Sequence, residues 1–218
     1  MPDESETKTW RRTRRTTFVD ERTWAAFGAF KAEITGRKGE NAVALALAGL
    51  GYSALHDVLL ADLFGLTQVD HLARGPDCSL VIETKRYGGH ITGSLRGDVW
   101  VQDLAGGEVR YSFRSPIRQN CRHCRAVEAV LAGLDVPVVG YVVSAGSATF
   151  CAELAAVVVP LGRLAAMFDA APPRAYTPAH LEIAWDRLAT AAAASEHRRE
   201  EHREAMCRRR DEVDRIEW

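Results

Sequence analysis

Lysine is scarce in this chain. It occurs four times, at Lys8, Lys31, Lys38 and Lys85, against twenty-four arginines. A bare cationic surface position in such a sequence would be arginine, so a lysine closing an apolar segment points to a lysine-specific role. Ammonium and guanidinium differ in hydration and in how readily they deprotonate. An excess of either charge is also lacking: the formal net charge is −1. Global basicity is therefore excluded as the means of holding nucleic acid, and only a local basic patch could do so. No apolar run approaches the roughly twenty residues a membrane helix needs. The amino terminus is polar and charged rather than signal-like, and the five cysteines are odd in number and scattered. Both features argue against a disulfide framework and favour free thiols in a reducing cytoplasm. There are no internal repeats, and 218 residues suffice for one well-packed domain with appendages.

What the chain does have is an acid and a lysine at a strand end. The apolar run Ser79-Leu80-Val81-Ile82 closes on Glu83-Thr84-Lys85. Residues two apart on a strand share a face, so Glu83 and Lys85 project together while Leu80, Ile82 and Thr84 point the other way. Upstream, Gly75-Pro76-Asp77-Cys78 reads as a turn with proline at its second position. If Gly75 pairs with Cys78, antiparallel counting sets Asp70 opposite Glu83, and Gln68 and Asp70 join Glu83 and Lys85 on one face. Two carboxylates and an ammonium so placed suit metal-assisted hydrolysis of a phosphodiester. The acids hold a divalent cation and the lysine orients or activates the attacking water. The bland alternative for the same three residues is a structural ion-pair cluster.

Along the chain, residues 1–30 read as a basic arm (Arg11, Arg12, Arg14, Arg15) and a short helix carrying Trp24, Phe27 and Phe30 at helical spacing. Residues 31–145 hold the main domain. Lys38 to Leu50 has helical periodicity and stops at Gly51. Strand-like stretches follow at Tyr52 to Leu59, Thr67 to Ala73 and Ser79 to Lys85. A glycine-rich link leads to a hairpin of Val99–Val101 and Val109–Tyr111. Ser115-Pro116 opens a helix through about Leu134, and Pro137 to Val143 is a buried strand. Residues 146–195 form an extension packing on the core. They include a strand at Val157–Val159, a short helix from Leu161, and a longer helix opened by Thr177-Pro178 with Leu181, Trp185 and Leu188 as its stripe. Residues 196–218 read as a solvated helical tail of mixed charge, with Glu204 and Arg208, and Asp211 and Arg215, at favourable four-residue spacing.

Four blocks in order resemble a known family: Arg37-Lys38-Gly39-Glu40, Leu66-Thr67-Gln68-Val69-Asp70-His71, Val81-Ile82-Glu83-Thr84-Lys85, and Ser115-Pro116-Ile117-Arg118-Gln119-Asn120 with His123. Together they look like the nuclease-related domain, NERD, of the PD-(D/E)xK, restriction-endonuclease-like nuclease superfamily, over roughly residues 36 to 145. The resemblance implies an α/β fold, a central mixed sheet of four or five strands flanked by helices, with a carboxy-terminal helical extension. It implies a divalent-metal-dependent nuclease acting on DNA. Asp70 and Glu83 would bind Mg2+ or Mn2+, Lys85 would be the catalytic lysine, Glu40 the acid on the first helix and Gln119 the polar residue on the later helix. Lys38, Arg86 and Arg118 flank these motifs as candidates for phosphate contacts. Serine stands before Pro116 where the family usually shows asparagine, which changes a cap rather than the chemistry. The alternative is a non-catalytic nucleic-acid-binding or regulatory module that keeps the fold, and RNA is the other substrate class to test.

Other constellations read more simply. Cys121-x-x-Cys124 lacks the second pair that structural zinc needs and is expected to place both thiols toward the core. His71 falls on the face opposite Asp70, as a packed or hydrogen-bonded histidine. Glu40 taken alone is also what a helix dipole favours in a first turn.

Overall fold

The computed structural model describes residues 21–75, 77–169 and 178–216. Of these, residues 35 onward form one compact unit and residues 21–34 belong to another. The basic arm, the side chains of Trp24, Phe27 and Phe30, Pro76 and Thr177 lie outside the described residues.

The order of elements is α1 (Glu21–Gly49), β1 (Ala54–Asp62), β2 (Gly65–Arg74), β3 (Ser79–Lys85), β4 (His90–Thr92), β5 (Val99–Leu104), β6 (Val109–Arg114), α2 (Pro116–Val130), β7 (Val138–Ser144), β8 (Thr149–Phe150), α3 (Ala152–Ala155), β9 (Val158–Pro160), α4 (Leu164–Asp169), α5 (Pro178–Ser195) and α6 (Arg199–Ile216). A five-stranded mixed sheet runs β1-β2-β3-β7-β9, antiparallel through β3 and parallel beyond it. The fold is thus α/β, with helices flanking a central mixed sheet and a helical stretch at the carboxy terminus. No helix among the described residues is long and apolar enough to cross a membrane, and no cysteine among them forms a disulfide.

Central β3 explains why its sequence is a continuous apolar run. Val81 packs on one side with Val127 of α2 and Leu181 and Leu188 of α5. Leu80 and Ile82 pack on the other with Val43 and Leu47 of α1 and Val143 of β7. A strand covered on both faces carries apolar side chains at every position. Each fully buried Leu or Ile contributes roughly 1.5–3 kcal/mol, and Leu188, with no exposed surface, anchors α5. Truncating it to alanine should cost about 2–5 kcal/mol. Ser115 caps α2 by accepting the Arg118 N–H at 3.4 Å, with Pro116 in the first turn where its missing donor is harmless.

The hairpin register is the one the turn implied. Gly75 N–H donates to the Cys78 carbonyl at 2.9 Å. The ladder then runs from Arg74↔Ser79 to His71↔Ile82. Its next step sets Asp70 opposite Glu83.

Three local expectations are corrected. The two helices expected before β1 are one, because the glycines at its middle do not break it. At Gly39 the missing side chain has a use: an added Cβ would sit 3.0 Å from Arg86 Cβ and 3.4 Å from Thr84 Cγ2. Glycine there lets α1 lie close on the end of β3. The glycine-rich link is also more than a link, since β4 pairs with β5 and β8 in a second sheet ordered β6-β5-β4-β8. Strands of three and two residues are too short to show a period of two. Lastly, only Cys124 reaches the core; Cys121 is exposed. The buried face of α2 runs through Asn120, His123 and Val127, and Cys121 is turned about 100° beyond Asn120.

Candidate active site

The site lies where the β2–β3 ladder ends. Beyond His71↔Ile82 the main-chain pairing stops, and Asp70 bridges the gap: its Oδ2 accepts the Thr84 N–H at 2.7 Å. Across from it, Glu83 has no exposed surface. An ionised carboxylate in that position is costly unless paired and hydrogen-bonded. It is both. Lys85 Nζ lies 2.5 Å from Oε1, and His123 Nε2 lies 3.1 Å from Oε2. The other imidazole nitrogen, Nδ1, is 2.8 Å from the Thr67 hydroxyl. A carboxylate only accepts, so the network assigns the proton to Nε2, and the Thr67 O–H donates to Nδ1. Half-buried Lys85 and buried Glu83, His123 and Thr67 thus form one chain of contacts from β3 through α2 to β2.

Charge crowding shifts the three acids differently. Burial, then the charge of Glu83, pushes Asp70 up to about 8, against the pull of the Thr84 N–H and Lys85. Glu40 is raised by burial and by the charges of Asp57 and Glu83. Burial would raise Glu83 as well, but Lys85 and His123 more than offset it and hold the carboxyl below its ordinary range. Lys85 is held above its ordinary value: burial opposes its charge, and Glu83, Tyr87 and Asp70 outweigh burial. An ammonium so held is a fixed positive charge and a poor base.

Asp70 and Glu40 open onto a cavity of about 780 Å3 whose lining includes Gln68, Arg118, Gln119 and His123. Gly39 is why Glu40 is there, because close seating of α1 carries the next residue to the cavity. Of the sequence-derived candidates, Glu40, Asp70, Gln119 and Arg118 line this space. Glu83 and Lys85 stand behind it. Lys38 and Arg86 are exposed and are not in its lining. Arg118 is already engaged, with Asp98 at 3.2 Å and the Arg96 carbonyl at 2.8 Å. His71 is buried and shares a 2.8 Å Nδ1–Nδ1 contact with His56, as a packed, hydrogen-bonded histidine should be.

Among the described residues no group of three or more His, Cys, Asp or Glu side chains is set to hold a metal ion. The donor set nonetheless suits a hard cation. Magnesium is commonly held by one or two carboxylates plus waters and substrate phosphates rather than by an all-protein cage. Asp70 and Glu83 are the pair that would hold such an ion, and a divalent charge would offset the burial and the repulsion from Glu83 that raise Asp70.

Two residues gained a role only in the structure. His123 was visible in the sequence as Gln119's neighbour one turn along α2, but without a partner. Thr67 carried no signal.

A mixed α/β sheet with an acid–x–lysine strand end, an opposed aspartate and a glutamate brought in by the first helix is compatible with a nuclease-like fold. The model of the nuclease-related domain matches residues 35–145, just over half of the 218 residues, and the chain belongs to that family. It is also similar to an uncharacterised protein of Bacillus anthracis, 35% identical over 97 residues, covering 43% of this chain and 45% of the relative. The match thus takes in less than half of that relative's length.

Proposed function

We propose that this protein is a divalent-metal-dependent nuclease that hydrolyses DNA phosphodiester bonds in the cytoplasm. The observation that carries the reading is the strand-end cluster: Lys85 on Glu83 at 2.5 Å, with Asp70 held opposite by the Thr84 N–H and opening onto a cavity. Mg2+ or Mn2+ held by Asp70 and Glu83, with Glu40 completing the shell or positioning water, would supply charge neutralisation and an acidified water. The chain's own residues do the rest. Lys85, fixed as an ammonium, stabilises negative charge developing on the phosphate during in-line attack by water. The Thr84 N–H fixes one oxygen of Asp70. His123 positions Glu83, and Thr67 fixes the tautomer of His123, so the pair acts through Glu83 rather than on substrate. Gln119 orients water or phosphate from the α2 side, and Arg118 meets the backbone of the substrate strand.

A non-catalytic nucleic-acid-binding module has one observation in its favour, that both oxygens of Glu83 are already engaged within the protein. Substitution separates the two readings. Lys85→Ala should abolish Mn2+-dependent cleavage of labelled DNA but leave calorimetric metal binding largely intact, since an ammonium cannot ligate a cation. Asp70→Ala should abolish both. Full activity in Lys85→Ala, or wild-type metal binding in Asp70→Ala, overturns the assignment. Single-stranded, duplex and RNA substrates in parallel identify the substrate class.

A further inference from the structure

The helix α6 has little in its sequence to seat it, yet two of its side chains line the cavity just described. Arg199, its first residue, reaches a residue 142 positions away. Its Nη1 donates to Asp57 Oδ2 at 2.7 Å and its Nη2 to the Asp57 carbonyl at 2.9 Å. The same guanidinium also holds Glu196 at 2.7 and 2.6 Å.

Asp57 is built to be grasped. It has a left-handed backbone, φ 55°, a conformation that aspartate tolerates better than most side chains. The β1–β2 ladder skips it, passing from His56↔His71 to Val58↔Val69. The Asp57 carbonyl is left to Arg199, while its other carboxylate oxygen accepts from Gln68, a cavity-lining residue. The clasp and the candidate site are thus joined through one side chain.

So seated, α6 adds His202 and Met206 to the lining that contains Glu40 and Asp70. Beneath it Phe64 and Leu66 share a smaller hollow with Ala205 and Met206. The apolar contact is shallow, since Phe64 stays 71% and Met206 49% exposed. Charged hydrogen bonds rather than buried area therefore keep the helix in place, and such a wall can be released.

With α6 in place the cavity, about 780 Å3, is of small-molecule size, within the range of roughly 300–1,000 Å3. A nucleotide or two of a flexible strand fits that space. A duplex, whose major groove alone is about 12 Å wide, is too large to be enclosed in that space.

We propose that α6, clasped by Arg199 on Asp57, is a specificity-determining wall that restricts the site to an unpaired nucleic-acid strand, and that its release admits duplex. The proposal rests on the nuclease reading for its catalytic arm. Arg199 touches no reacting group; it acts by positioning α6.

The test uses the full chain as wild type, Arg199→Ala and Asp57→Asn, with matched thermal melts to show folding. Hydrogen exchange should show residues 199–208 protected in the wild type and less so in both variants. With Mn2+, Arg199→Ala should cleave labelled duplex up to about fivefold faster, the scale of ~1 kcal/mol for losing an exposed charged clasp, while its single-strand rate stays nearly unchanged. In EDTA, fluorescence anisotropy should show the same gain in duplex affinity. Lost protection without a change in duplex cleavage or binding overturns the wall. Unchanged protection overturns Arg199 as its clasp. Absence of cleavage by every form removes the nuclease reading alone, and the anisotropy comparison then still decides the role of α6.

Discussion

The two sides of this cavity are held by the same kinds of charge in opposite surroundings. On the floor, Glu83, Lys85, His123 and Thr67 are interior or nearly so, and each bond replaces solvation that the fold has removed. On the outer wall, Arg199, Glu196 and Asp57 meet at the surface, where water competes for every bond. Buried pairs are expensive to break singly, because the survivor is left charged and unsolvated. Exposed pairs contribute about 0–1 kcal/mol each. The site is thus rigid where it would hold metal and yielding where substrate would enter, and the difference lies in burial rather than in residue type.

The comparison breaks first at Glu83. Replacing it with alanine strands Lys85 and His123 and should cost about 3–5 kcal/mol in urea denaturation. A loss below ~1 kcal/mol would mean that water reaches this cluster, and the contrast between floor and wall would vanish.

The next effect is one of pH. Burial, then the neighbouring His56, pushes His71 down to about 4. Between its ordinary value near 6.5 and about 4, the unfolded chain binds the proton and the folded chain does not. Stability from this group is therefore full above about 6.5 and falls as pH drops, by an amount on the order of 2–3 kcal/mol. Denaturation of His71→Gln should lose this part of the acid slope between pH 7 and 4.5. A parallel slope in variant and wild type would show that His71 is not the group responsible.

Thr67→Val keeps shape and removes the hydroxyl that fixes His123. A loss of about 1–2 kcal/mol is expected, together with weaker metal binding, because Glu83 loses an oriented partner. If stability falls but metal binding does not, Thr67 serves packing only.

The smallest change in stability belongs to the wall. Arg199→Ala should shift the denaturation midpoint by no more than about 1 kcal/mol, even as it alters access to the cavity. A loss as large as that of Glu83→Ala would place α6 in the structural core.

Much of the site could be read in advance because its geometry is local. Glu83 and Lys85 are two apart on a strand, and alternation alone gives them one face. Asp70 faces Glu83 because the turn from Gly75 to Cys78 sets the count. The start of α2 follows from Ser115-Pro116. The missed parts share one cause. His123 reaches Glu83 across 40 residues, Thr67 reaches His123 across 56, and Arg199 reaches Asp57 across 142. No periodicity spans such separations. The short strands β4 and β8 are paired by the surrounding sheet rather than by their own sequence.

By itself the sequence determined the acid–x–lysine strand end, the opposed aspartate, the glycine beside Glu40 and the order of blocks that places this chain among nuclease-related domains, since each depends on spacing within one or two adjoining elements. Only the tertiary structure decided which partners neutralise Glu83, the left-handed backbone at Asp57, and that one side of a largely exposed helix of evenly mixed charge lines the cavity. Those outcomes depend on which distant surfaces exclude water from one another, and a linear pattern does not carry that information.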